Sequence, residues 1–138
     1  MKKDKSLALL PLIIVAGLLS CGKNSGETTA SIVRKGTWAI TKYEEHGTDK
    51  TNHFADYDFS FDENGTVLAK KKSVLISGTW NSGTSNNEDK FFLDFAGAIP
   101  FDELNDDWRI IEKTSILLRL QELVSGNGGI HYLTFEKN

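Results

Sequence analysis

One cysteine, two prolines and a single methionine are spread over 138 residues. With Cys21 alone there is no partner for an intramolecular disulfide, so the fold must rest on its core. No apolar run reaches the roughly 20 residues that a membrane-spanning helix needs. The longest uncharged stretch, Leu7 to Leu19, is broken by Pro11 and Gly17. After it no long segment carries apolar residues at the helical period, which excludes a helical bundle. Basic runs are also scarce. Lys70-Lys71-Lys72 stands alone, without interleaved aromatics to stack on bases, and the net charge is −3, so nucleic acid is not an expected partner. Three histidines and no second thiol provide no nucleophile, base and orienter for catalysis, and the chain reads as a non-enzyme without cofactors.

What is present begins with an address. Met1-Lys2-Lys3-Asp4-Lys5 is a basic opening, followed by the uncharged Leu7 to Leu19, the layout of a secretory signal. Leu18-Leu19-Ser20-Cys21 then supplies apolar, apolar, small and cysteine in order. This resembles the lipobox of bacterial lipoproteins. The resemblance implies that residues 1–20 are a cleaved signal peptide and that Cys21 becomes the lipidated first residue; with Gly22 in place of the aspartate of the inner-membrane retention signal, the expected anchor is in the outer membrane, at its periplasmic face or at the cell surface. Two or more acyl chains, at about 0.8 kcal/mol per buried CH₂, make a stable anchor. Residues 21–138 would then carry 13 basic and 18 acidic side chains. Residues 21–30, small and polar, read as a flexible tether.

From Gly36 onward the period is that of strands. Trp38 and Ile40 alternate with polar or small neighbours, and Tyr57, Phe59 and Phe61 alternate with Asp58, Ser60 and Asp62. Asp62-Glu63-Asn64-Gly65 is a turn, and Thr66 to Lys71 returns as the partner strand. Ser73 to Asn81 places Val74, Ile76 and Trp80 on one face, and Gly83 to Asp89 reads as a polar turn. Phe91, Leu93 and Phe95 form the next row. A loop from Ala96 to Asp106 has room for one helical turn at Phe101 to Leu104. Trp108 with Ile110, then Ile116, Leu118 and Leu120, then Leu133 and Phe135 complete three further strands.

Eight strands in sequence order, joined by short connections, must hide their edges, and an eight-stranded antiparallel up-and-down barrel does so directly. A two-sheet β-sandwich fits the same pattern. Gly36-Thr37-Trp38, the Ser31 to Lys35 turn before it, Tyr57-x-Phe59-x-Phe61, Asn64-Gly65-Thr66, Gly78-Thr79-Trp80, Trp108 and Leu133-x-Phe135-x-Lys137 together resemble the lipocalin-like lipoproteins of Bacteroidota-type bacteria. The resemblance covers residues 36–138 and implies a lipocalin-like barrel domain over 31–138. Lipocalins pack a late arginine over the first-strand tryptophan, and Lys137 is the cation near that place here.

Two functions are open at this point. In the first, the barrel interior binds a small apolar or amphipathic ligand, with Trp38, Tyr57, Phe59, Phe61, Trp80, Trp108 and His131 as lining residues. In the second, the domain is a non-catalytic accessory subunit that docks on an outer-membrane protein through an apolar loop including Ile99 and Phe101. The same large side chains read equally as plain core. Glu44, Glu45, His46, Asp49 and His53 match no defined metal spacing, and neither do Asp102, Glu103, Asp106 and Asp107, so no metal is expected.

Overall fold

The computed structural model describes residues 26–138. Residues 1–20, read above as a signal peptide, and Cys21 lie outside them. Nine antiparallel strands form one sheet: β1 (Trp38–Glu45), β2 (Thr48–Asp49), β3 (Asp58–Phe61), β4 (Thr66–Lys71), β5 (Val74–Ser85), β6 (Glu88–Asp94), β7 (Asp106–Lys113), β8 (Leu117–Leu123) and β9 (Ile130–Lys137). β1 and β3 to β9 follow one another around the sheet, and β9 returns to pair with β1 from Trp38↔Lys137 to Glu44↔Tyr132. The result is the closed eight-stranded barrel that the alternation predicts, with β2 as a short additional strand. The sandwich alternative is thereby set aside.

Two-residue turns fix the register of the hairpins. Asn86 and Asn87 hold φ of 53° and 61°, the left-handed pair of a type I′ turn that suits asparagine. Because this turn is so tight, β5 and β6 pair from Thr79↔Asp94 to Ser85↔Glu88, so most of the Gly83 to Asp89 stretch is strand rather than loop. His46 and Gly47 make a similar turn, at φ 51° and 77°, between β1 and β2. A bulge between Ile40 and Lys42 shifts the alternation in β1, which is why Tyr43 rather than Lys42 points inward.

Strand directions give the barrel two ends. At the end where the chain enters lies α1 (Thr29–Val33), with Thr28 capping it through Oγ1, which accepts from Ser31 N–H at 3.1 Å. The helix therefore starts two residues inside the segment read as tether and replaces the turn expected at Ser31 to Lys35. Ile32 and Val33 are fully buried and plug that end. The opposite, far end is covered by two 3-10 turns, Thr51–Phe54 and Phe101–Leu104, the second of them where the sequence places a helical turn. Phe54, Phe101 and Leu104 are buried beneath them. Phe101 is thus core rather than exposed loop surface, whereas Ile99 stays 84% exposed. Ile116 is likewise outside the core, in the turn before β8.

Each tryptophan ties a closing segment to the wall. Trp38 Nε1 donates to Val33 O at 2.9 Å, Trp108 Nε1 to Leu104 O at 2.9 Å, and Trp80 Nε1 to Asp62 O at 3.0 Å. The indoles contribute a large apolar area to the core while their single donors find backbone carbonyl acceptors.

Candidate functional site

The residues expected to line a cavity instead fill it. Trp38, Phe59 and Trp108 have no exposed surface, and Phe61 and Trp80 keep 3% and 8%. Their rings meet edge to face: Phe59 with Phe135 at 5.4 Å between centroids, Phe61 with Phe91 at 5.5 Å and with Trp80 at 5.7 Å. Phe95 and Phe101 extend the same cluster at 5.3 Å. Edge-to-face pairs at these spacings add roughly 0.5–1.5 kcal/mol each beyond area burial. Tyr57 sits apart, half-buried against Phe101 at 4.9 Å, with Lys71 Nζ 5.4 Å from its ring. The barrel interior, the expected place of a small ligand, is closed by aromatic packing, as the reading of these side chains as plain core has it.

Concave surface survives elsewhere. A groove of about 990 Å³ runs along β5, β6 and the start of β7, bordered by the Glu63-Asn64-Gly65 turn, Asn81, Phe92 and Asp107, with the edge of Trp80 in its wall. Gly65, at φ 83°, lets its carbonyl accept from Trp80 N–H at 2.9 Å and holds that turn beside β5.

At the far end the inward row turns from apolar to polar. Above Tyr43, Leu120 and Leu133, alternation places Glu45, Glu122, His131 and Asp106 on the inner side of the rim. Tyr43 closes the layer below: its hydroxyl donates to Glu103 O at 3.0 Å, and burial holds its ionisation well above the usual tyrosine range. Burial also pushes the Glu122 carboxyl up to about 8, with the hydrogen bond and charge of Asp106 adding to it. The Lys50 ammonium, hydrogen-bonded to Glu45, pulls that carboxyl below its ordinary value.

His131 lies in this rim. Its side chain is 11% exposed and its Nδ1 faces Glu122 Oε2 at 3.6 Å. The His46 ring stands edge-on to it at 4.6 Å between centroids. Of the five residues first considered together for a metal, only Glu45 and His46 come near each other and His131. Glu44 turns outward to Lys42 at 3.3 Å, Asp49 accepts from Thr51, and His53 Nδ1 pairs with Glu103 Oε2 at 2.9 Å. The second acidic group is dispersed too, with Glu103 on His53, Asp106 beside Glu122, and Asp107 4.0 Å from Lys90. Sequence spacing does not group His131 with Glu45 and His46, because they stand 86 and 85 residues earlier in the chain and meet it through strand pairing.

In comparisons with known proteins, the chain matches no family model and no curated protein. Among solved structures it is similar to a DUF4847 family protein from Bacteroides vulgatus ATCC 8482, with a TM-score of 0.55 and 17% identity over 80% of this chain and 98% of that one. At this identity the likeness is one of fold.

Proposed function

We propose that this chain is a lipid-anchored, non-catalytic barrel of the outer membrane that serves as an accessory subunit of an outer-membrane protein assembly. The observation that carries this reading is the filled interior, which leaves the outer faces and the far rim as working surfaces. Val74, Leu75, Ile99 and Leu123, all at the far end, expose between 45% and 84% of their surface. That end lies opposite α1, where the N-terminal segment joins the barrel, so with a lipid on Cys21 these four apolar side chains, set outside the polar rim, would lie on the side away from the membrane. The fold shared with a protein from Bacteroides is in keeping with the Bacteroidota-type lipoprotein resemblance.

Carriage of a small apolar or amphipathic molecule is the second reading, supported by the groove beside Trp80 and Phe92 rather than by the interior. Native mass spectrometry of the full lipoprotein, extracted from its host in mild detergent, separates the two. A protein-sized added mass is the expected result. A reproducible small added mass, lost on Trp80→Ala, would replace the first reading with the second. Cys21→Ala is expected to release the protein from the membrane fraction, and retention there would refute the anchor.

A further inference from the structure

The polar rim holds a constellation that neither a docking surface nor a ligand groove requires. Glu45, His46 and His131 each offer a ligand atom, and the three atoms lie within 4.8 Å of one another. They come from two separate segments, the end of β1 with the turn after it and the start of β9, brought together by the Glu44↔Tyr132 register.

The His46 imidazole is oriented by its other nitrogen, while His131 Nδ1 lies near Glu122 without a hydrogen bond to it. His46 Nδ1 stands 2.7 Å from Gly128 O; a carbonyl only accepts, so the proton is on Nδ1 and the lone pair is on Nε2. Nε2 in turn lies 3.9 Å from Glu45 Oε1. His131 Nδ1 faces the Glu122 carboxyl, and its Nε2 is buried with no hydrogen-bond partner among the described residues. A buried polar nitrogen left unpaired costs on the order of 1–3 kcal/mol. Carboxylate and carbonyl groups behind ligating histidines are the usual means of fixing the tautomer and raising ligand basicity. Lys50 takes the other oxygen of Glu45 through a hydrogen bond, so Oε1 is the one turned toward His46.

We propose that Glu45, His46 and His131 bind one divalent transition-metal cation of the zinc class, through the two imidazole Nε2 atoms and one carboxylate oxygen. Two nitrogens and one oxygen suit zinc, which keeps a fourth position for water or for a side chain of another protein. Tetrahedral zinc wants its ligand atoms about 3.3 Å apart. The site must therefore tighten, and the exposed His46-Gly47 turn is the element free to move, since His131 is fixed in β9. Bound metal pins the β1–β2 turn to the β8–β9 hairpin and satisfies the His131 nitrogen. It also sets a positive charge beside Glu122 and Asp106.

The test is a calorimetric titration of Zn²⁺ into the chelator-stripped full chain in mild detergent, repeated with Co²⁺ for its visible spectrum. One saturable site is expected, with the intense cobalt bands of four-coordinate geometry. His46→Asn and His131→Gln should abolish it, and Glu122→Gln should weaken it about tenfold. His53→Asn should leave it unchanged, because His53 is occupied by Glu103. His46 is exposed at a left-handed position that asparagine tolerates, so its variant decides the matter should His131→Gln fail to fold. Absence of saturable binding in the parent protein overturns the proposal, as does equal loss in His53→Asn and His46→Asn.

Discussion

Lys137 Nζ stands 5.2 Å from the centroid of the Trp38 ring, on the strand residue that pairs directly with Trp38. The first and last strands of the barrel are thus joined by a cation over an indole as well as by backbone hydrogen bonds. Lys137→Ala is expected to cost about 0.5–1 kcal/mol in urea unfolding, and Lys137→Arg to retain the stability, since a guanidinium stacks on the same face. Equal stability of the alanine variant would show that the contact contributes nothing.

Gly78 is the tightest point of the wall. A Cβ there would lie 2.6 Å from Asp94 O and 2.7 Å from Phe95 Cδ1, whereas one at Gly83 on the same strand meets nothing within 4 Å. Gly78→Ala should destabilise by about 1–3 kcal/mol through forced displacement of Phe95. Gly83→Ala should leave the unfolding midpoint close to that of the parent, and similar effects of the two would contradict the packing argument.

Tyr43 fastens the second 3-10 turn to β1 through its hydroxyl on Glu103 O. Tyr43→Phe should cost about 1 kcal/mol. Hydrogen exchange should quicken in residues 101–105 and not in α1, because only the far closure loses a tether.

Glu122 sets a pH dependence. Its carboxyl titrates near 8 in the folded barrel, raised chiefly by burial from an ordinary value of 4.5. Between those limits the native state holds a proton that the unfolded chain has released, so stability is greatest at the acid edge of the window and falls as pH rises through it. With chelator present, Glu122→Gln should flatten the fall and be the more stable protein at pH 8, by roughly 1 kcal/mol or more. A parallel decline in both proteins would assign the effect to another group.

Much of the barrel was legible because its signals are local. Tyr57 to Phe61 alternates strictly and Asp62 to Gly65 is turn chemistry, so β3 and β4 follow from neighbouring residues alone. The Phe101 to Leu104 turn was visible in the same way. What escaped depends on distance in sequence. Tyr43 points inward only because of the bulge after Ile40, and α1 is helical because its apolar Ile32 and Val33 find the open end of a barrel that ends more than 100 residues later. His131 had its own strand correctly assigned, yet its companions at Glu45 and His46 come from the opposite end of the chain, where no spacing rule reaches. Aromatic density alone cannot distinguish a lined cavity from a filled one, and the edge-to-face contacts of Phe59, Phe61 and Trp80 decided for filling.

The position of α1 has a mechanical consequence. Any pull on the N-terminal segment meets the fold first at Glu27, which pairs with Lys35, and then at the five-residue helix. Trp38 holds its last turn through Val33 O, and Lys113 Nζ reaches Thr29 Oγ1 at 3.3 Å near its start. Behind it, β1 is loaded lengthwise against β9 over six paired positions. These bonds must break together, while those of α1 yield one at a time. Under tension the plug peels first and the wall holds, so α1 acts as a shock absorber in series with the barrel.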